Sequence, residues 1–208
     1  DTLTRAYDAL GFDGSDAALK IWFALLNEGY DLPIVGAGGG SLEAGNAPCG
    51  QTFVKVDGAL NREKVLEACR RGRSFVSFGP AIFADILERA KGLGDRLPSD
   101  GLTWNLRVRA FCSLQPGTML EKLEVIRNGE VVKTEHFEEG LGMLREYKLP
   151  LTERRDAWYV LRLTEKVEVA GRALERRIAL TNPIYFDTPG RARPEPAQAR
   201  VTGVLRKP

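Results

Sequence analysis

At 208 residues, 43% hydrophobic, 28% charged and 8% aromatic, the chain has ordinary globular composition and length enough for one large or two small domains. Its longest apolar runs, around Trp22 to Leu26, fall far short of the roughly 20 residues that a bilayer-spanning helix needs, so no membrane span is expected. Thirty basic against 28 acidic side chains leave a net charge of +2, too weak a field to single out nucleic acid as a partner.

In chain order, the first predicted element is a helix of about 12 residues. Ser15 or Asp16 caps it, Leu19, Trp22, Phe23 and Leu26 recur at helical spacing, and Gly29 and Pro33 stop it. Pro33-Ile34-Val35 reads as a short buried strand running into the glycine-rich loop Gly36 to Ser41. The β-branched, alternating run Thr52 to Val56 predicts a strand. A second helix follows from an Asn61 cap through Val65, Leu66 and Cys69 to Gly72, and Ser74 to Phe78 reads as another strand closed by Gly79-Pro80. Helix and strand thus alternate over residues 1–85, the rhythm of an α/β layer.

The helical period disappears from about Ile82. Leu102, Trp104, Leu106, Val108, Ala110 and Cys112 alternate with mostly polar neighbours, as in a strand with one buried face. Leu120 to Ile126 and Glu130 to Phe137 flank Asn128-Gly129, which calls for a two-residue type I′ hairpin turn. Further strands are expected at Met143 to Leu149, Ala157 to Thr164, and Arg176 to Thr181 running on to Phe186. Such a series of short strands predicts an antiparallel, Ig-like β-sandwich over residues 86–187, with a domain boundary near residues 82–90. Trp104, Trp158 and Tyr159 are expected in its core. Residues 188–208 form a Pro-rich tail in which five basic side chains face Glu195 alone, the pattern of an extended solvated arm.

The same composition limits the chemistry. One histidine, His136, and three cysteines, Cys49, Cys69 and Cys112, without C-x-x-C spacing, cannot build a self-contained zinc site of the usual kind. The thiols read as buried apolar groups. Gly36-x-Gly38-x-x-Ser41 lacks both the third glycine of a dinucleotide cradle and the Lys of a P-loop. The carboxylate pairs Glu138-Glu139 and Glu121 with Glu124 fall in a turn or on an outward strand face, and Ser74 and Ser77 have no base in view. The chain opens Asp1-Thr2-Leu3, with neither an initiator methionine nor a leader, as expected of a processed protein or a part of a longer one.

Three stretches together resemble a known family. Trp22-Phe23-Ala24-Leu25-Leu26-Asn27-Glu28-Gly29-Tyr30-Asp31-Leu32-Pro33-Ile34-Val35-Gly36, then Thr52-Phe53-Val54-Lys55-Val56, then Ala68 to Pro80 are similar to the closing third of PHP-type (polymerase and histidinol phosphatase) metallohydrolases, in their CehA/McbA, carbaryl-hydrolase-like branch. Val125 to Val132 and Thr181-Asn182-Pro183-Ile184-Tyr185 fall where the C-terminal β-sandwich of that branch would lie. The resemblance covers residues 15–187 and implies the C-terminal portion of a PHP-like α/β barrel followed by the sandwich. It also implies a metal site, to which this sequence answers poorly. The family carries Gly-Ser/Thr-Asp after the first of these strands, where Gly36-Ala37-Gly38-Gly39-Gly40 stands here. Gln51 takes the place of an arginine and Phe78 that of an asparagine, while Arg73 and Ser77 keep their polar character. The family's remaining histidine ligands belong to earlier barrel strands.

Glycine offers no side-chain donor to a cation, and loss of even a supporting ligand typically costs about 10 to 100-fold in affinity or activity. The expected function is therefore that of a non-catalytic, degenerate member or fragment of the family, serving as a binding or structural module without a cofactor. Its ligand is expected at the mouth formed by Ser41, Gln51 and Ser77, with Arg73 supplying an anion contact. An upstream barrel segment of the same polypeptide is the expected partner. Two alternatives are an active zinc- or manganese-dependent hydrolase whose ligands lie upstream, and a cell-envelope β-sandwich binding protein, the latter agreeing with an extracytoplasmic setting.

Overall fold

The computed structural model of the chain describes residues 9–37, 50–138, 144–168 and 174–190. The expectations for Ser41, Cys49, the glycines at 38–40 and the tail beyond residue 190 concern residues outside that set. In chain order the elements are β1 (Leu10–Phe12), α1 (Asp16–Asn27), β2 (Ile34–Gly36), β3 (Gln51–Val54), α2 (Arg62–Arg70), β4 (Ser74–Ser77), β5 (Ala81–Ile86), β6 (Lys91–Gly92), β7 (Arg96–Pro98), β8 (Thr103–Phe111), β9 (Thr118–Arg127), β10 (Glu130–His136), β11 (Leu144–Thr152), β12 (Ala157–Val167), β13 (Glu175–Thr181) and β14 (Ile184–Asp187).

Both expected helices form, and the caps set them. Ser15 Oγ accepts from the amide of Ala18 at 3.2 Å at the start of α1, and Asn61 Oδ1 accepts from the amide of Lys64 at 2.9 Å at the start of α2. The hairpin turn also forms where expected: Asn128 at φ 51° and Gly129 at φ 91° supply the two positive dihedrals that a type I′ turn requires between β9 and β10. Asn128 then reaches back to the sheet, accepting from the amide of Trp158 through Oδ1 at 2.9 Å.

An eight-stranded sheet runs in the order β10-β9-β12-β13-β4-β3, with β14 also on β12 and β7 parallel to β14. A four-stranded sheet, β11-β8-β5-β6, covers one of its faces. Between them lies a core that includes Leu106, Val108, Leu123, Leu161, Leu163 and Phe186, supplied by alternate residues of each strand. The opposite face of the large sheet is covered by α1 and the parallel pair β1–β2, over a second core that holds Trp22, Ile34, Val76, Val160 and Leu180. The β-sandwich expected for residues 86–187 is compatible with this arrangement, and Trp104, Trp158 and Tyr159 are all buried.

The α/β barrel is not. Among the described residues there are two helices, and the strands that resemble the end of a barrel do not lie parallel in a closed ring. Gln51 pairs with Ser77 and Val54 with Ser74, so β3 and β4 are antiparallel, and β4 pairs antiparallel with β13 through Leu180 with Val76. Among the described residues, parallel pairing is confined to β1 with β2 and β14 with β7. Phe75 enters the core between the sheets while Val76 enters the core under α1, so β4 is a buried strand of the large sheet. Alternation of helix and strand in sequence suggested βαβ crossovers, but periodicity does not encode strand direction.

Candidate functional site

Gly36 and Arg73 end up at opposite ends of the antiparallel pair β3–β4. At the first end, Gly36 donates its amide to Thr52 Oγ1 at 2.7 Å, which brings the tip of β2 against β3. Gln51 is exposed on that edge, opposite Ser77. The Ser77 hydroxyl is spent on its own turn: it donates to the Pro80 carbonyl at 2.6 Å and accepts from the Gly79 amide at 2.9 Å. Phe78 fills the remaining space by standing edge-on to Phe12, with ring centroids 5.9 Å apart. Gln51 and Ser77 are thus neighbours, Ser41 lies outside the described residues, and Arg73 is not part of this corner.

Arg73 instead borders a groove of about 580 Å3 at the edge of the sandwich. The groove lies where β3 and β4 of the larger sheet meet β5 of the smaller one. Residues alternate across a strand, so Phe53 and Lys55 from the β3 side and Arg73 and Phe75 from the β4 side face the same way. Phe53 stacks flat on Phe75, with centroids 4.8 Å apart and planes inclined by 4°, and Phe83 of β5 stands edge-on to Phe75 at 5.4 Å. Phe75 is buried; Phe53 and Phe83 remain 40% and 41% exposed. The Arg109 guanidinium lies over the Phe83 ring, 5.8 Å from its centroid.

Charges ring this surface. Arg73 approaches Asp57 at 3.4 Å and Asp95 at 3.5 Å. Arg109 of β8 lies opposite Phe83 in register and approaches Asp85 at 3.7 Å. Asp85 is bound more closely by Arg107, at 2.6 Å. A glycine fixes the far wall: Gly94, at φ 77°, packs so tightly under the end of α2 that a Cβ there would lie 1.8 Å from the Arg71 carbonyl oxygen. This contact sets the distance between the segment after β6 and the start of β4, and so holds Asp95 opposite Arg73.

Several other buried polar groups have structural partners, whereas Trp104 Nε1 has no hydrogen-bond partner among the described residues. Asn182 accepts from the Ile34 amide at 2.8 Å and donates to the Ile34 carbonyl at 3.1 Å and to Ser74 Oγ at 2.8 Å, which ties β2 to the large sheet. Glu153 accepts from Tyr159 Oη at 2.6 Å and from Arg127 at 2.9 Å. Burial works to raise its pKa, but these hydrogen bonds and the Arg127 charge outweigh it and hold the carboxyl below its ordinary value. His136 is exposed on β10. Among the described residues, no three His, Cys, Asp or Glu side chains converge as ligands for a metal ion, and no helix is long and apolar enough to cross a membrane.

Sequence reasoning found Arg73 but missed Phe53, Phe83 and Arg109 as site residues. The available signal was the alternation Ile82, Ala84, Ile86 against Phe83, Asp85, which marks β5 as a strand with a phenyl ring and a carboxylate on its outer face. Comparison with known proteins finds no family model that matches the chain and no matching curated protein.

Proposed function

We propose that this chain is a binding module without a catalytic centre of its own, taking a small organic ligand into the groove between β3–β4 and β5. The observation that carries this reading is the combination of a groove of about 580 Å3, within the usual range of small-molecule sites, with two half-exposed phenyl rings and a charged rim. Each groove carboxylate has a guanidinium within 3.7 Å, an arrangement of fixed charges that orients a ligand. The resemblance to carbaryl-hydrolase-like metallohydrolases enters as ancestry: the sequence Gly36-Ala37-Gly38-Gly39-Gly40 stands where that family places a carboxylate ligand, and supports a member that has given up its chemistry.

The test is an NMR titration of the full chain with a panel of small organic compounds that spans neutral, anionic and cationic types. Shift changes concentrated on Phe53, Phe83 and Arg109 are expected. Changes confined to another surface, or none across the panel, would overturn the groove reading. Stoichiometric zinc or manganese in the purified protein together with ester or phosphoester turnover would overturn the non-catalytic one.

A further inference from the structure

The large sheet ends at β10, and among the described residues no strand pairs with the outer edge of β10. Of its seven residues, Glu135 alone is half-buried and the rest are exposed; Val131 and Val132 stand 48% and 53% exposed. An open edge of this length presents a row of unpaired amide and carbonyl groups that templates a further strand. Of the other terminal strands, β3 has four residues and β6 two, while β11 carries Pro150, which has no amide hydrogen to offer. Phe137 donates its amide to the Glu121 carbonyl at 3.0 Å. By the alternation of an antiparallel pair, Lys133 and Glu135 then also bond to β9, opposite Val125 and Leu123, while Thr134 and His136 turn their amides and carbonyls outward. We infer that β10 is a dimerisation edge, along which two copies of this chain pair antiparallel with Thr134 opposite Thr134 of the second copy.

The charges on the strand select that register. Outward-turned residues must meet one another, so the two-fold axis passes through a residue and not between two. Centred on Lys133, the pairing sets two lysines directly opposite; centred on Glu135, it sets two glutamates opposite, and either is destabilising. Centred on Thr134, it sets Lys133 opposite Glu135 of the second copy twice over, at the non-hydrogen-bonded positions where facing Cα atoms come to about 4.5 Å. Within one chain Lys133 Nζ already lies 2.6 Å from Glu135 Oε1, so four charges of alternating sign surround the axis. Val132 then faces His136, and the two Thr134 residues exchange a pair of backbone hydrogen bonds. The register irregularity between Val131 and Lys133 ends the regular edge, so the paired segment runs from Val132 to His136 and leaves Glu130 and Glu138 outside it. A lysine at an edge ordinarily discourages pairing; with Glu135 two residues on, it admits this same sequence in reverse. So short a segment makes a weak, reversible dimer.

Sedimentation velocity of the full chain, from micromolar concentrations to about 1 mM, is expected to show a monomer–dimer equilibrium, and amide exchange read by NMR should slow at Thr134 and His136 as the dimer forms. Lys133→Glu and Glu135→Lys each place like charges across the axis and should weaken the dimer at least about tenfold. Mixing the two variants sets opposite charges across the axis again and should yield a heterodimer where neither variant pairs with itself, a result that a role confined to one chain would not produce. Thr134→Pro removes an amide that faces solvent, a change that edge strands tolerate, and should abolish the dimer with the monomer still folded. The charge variants, at solvent-facing positions, decide the matter whatever the proline does to folding. A chain that stays monomeric up to about 1 mM would overturn the proposal. A dimer that the charge variants leave unchanged, that their mixture fails to rescue, or that forms without protection of Thr134 would do the same.

Discussion

Glu165 is completely buried on β12, and Ser113 donates to its two oxygens, through the amide at 2.7 Å and the hydroxyl at 2.9 Å. Burial is the largest influence on this carboxyl and raises its pKa; the Ser113 hydrogen bonds and the Arg177 charge pull the other way without reversing the shift. A group whose folded-state pKa lies above its unfolded value holds its proton more tightly in the native protein. Its contribution to stability is therefore fully present below the unfolded pKa and is lost as pH rises through the folded one. Urea unfolding of the protein and of Glu165→Gln, between about pH 4 and about pH 8, should show the stability of the natural protein relative to the variant declining as pH rises. A difference that stays constant over that range would contradict this account. Glu153 has the opposite sign, since its pKa is lowered, and its contribution is lost as pH falls. Neither shift was legible in the sequence, where both residues stand as ordinary glutamates on predicted strands or in turns. Ser77 was visible as a polar position of the resemblance, but only the structure shows its hydroxyl committed to the Gly79-Pro80 turn.

The two helices look alike in sequence, with a cap, an apolar stripe and a glycine stop, yet they differ in what they hold. Trp22 of α1 is fully buried on the large sheet, with its Nε1 donating to the Leu32 carbonyl at 2.7 Å. Leu66 of α2 is 43% exposed, and Ala68 is the one buried residue of that helix. Trp22→Ala should destabilise the protein by about 3–5 kcal/mol, while Leu66→Ser should change stability by no more than about 0.5 kcal/mol. Chemical denaturation of the two variants checks both. Caps, the hairpin turn and the long alternating strands were legible because each rests on local chemistry. β6 and β7 escaped notice because they are two and three residues long, and β7 is a strand only through its pairing with β14, far along the chain.

Across the whole molecule, β3 and β4 share one hydrogen-bonded sheet with β9, β10, β12, β13 and β14, with β4 joined to β13 by Thr181 opposite Phe75. A shared sheet with a core on each face predicts one cooperative thermal transition, with calorimetric and van't Hoff enthalpies in agreement; two resolved transitions would contradict it. The strand periods were legible at this scale, but the direction of pairing was not, and the expected barrel failed on that point. The groove was hidden for the same reason: Phe53 and Arg73 belong to the larger sheet or its edge and Phe83 and Arg109 to the smaller one, and only the packing of the two brings them together. Anyone wishing to reshape the groove inherits a practical rule from Gly94 and its contact with Arg71. That contact tolerates no added atom, so mutational libraries should spare it and randomise the aromatic positions 53 and 83, where the lining can be varied without prying the two walls apart.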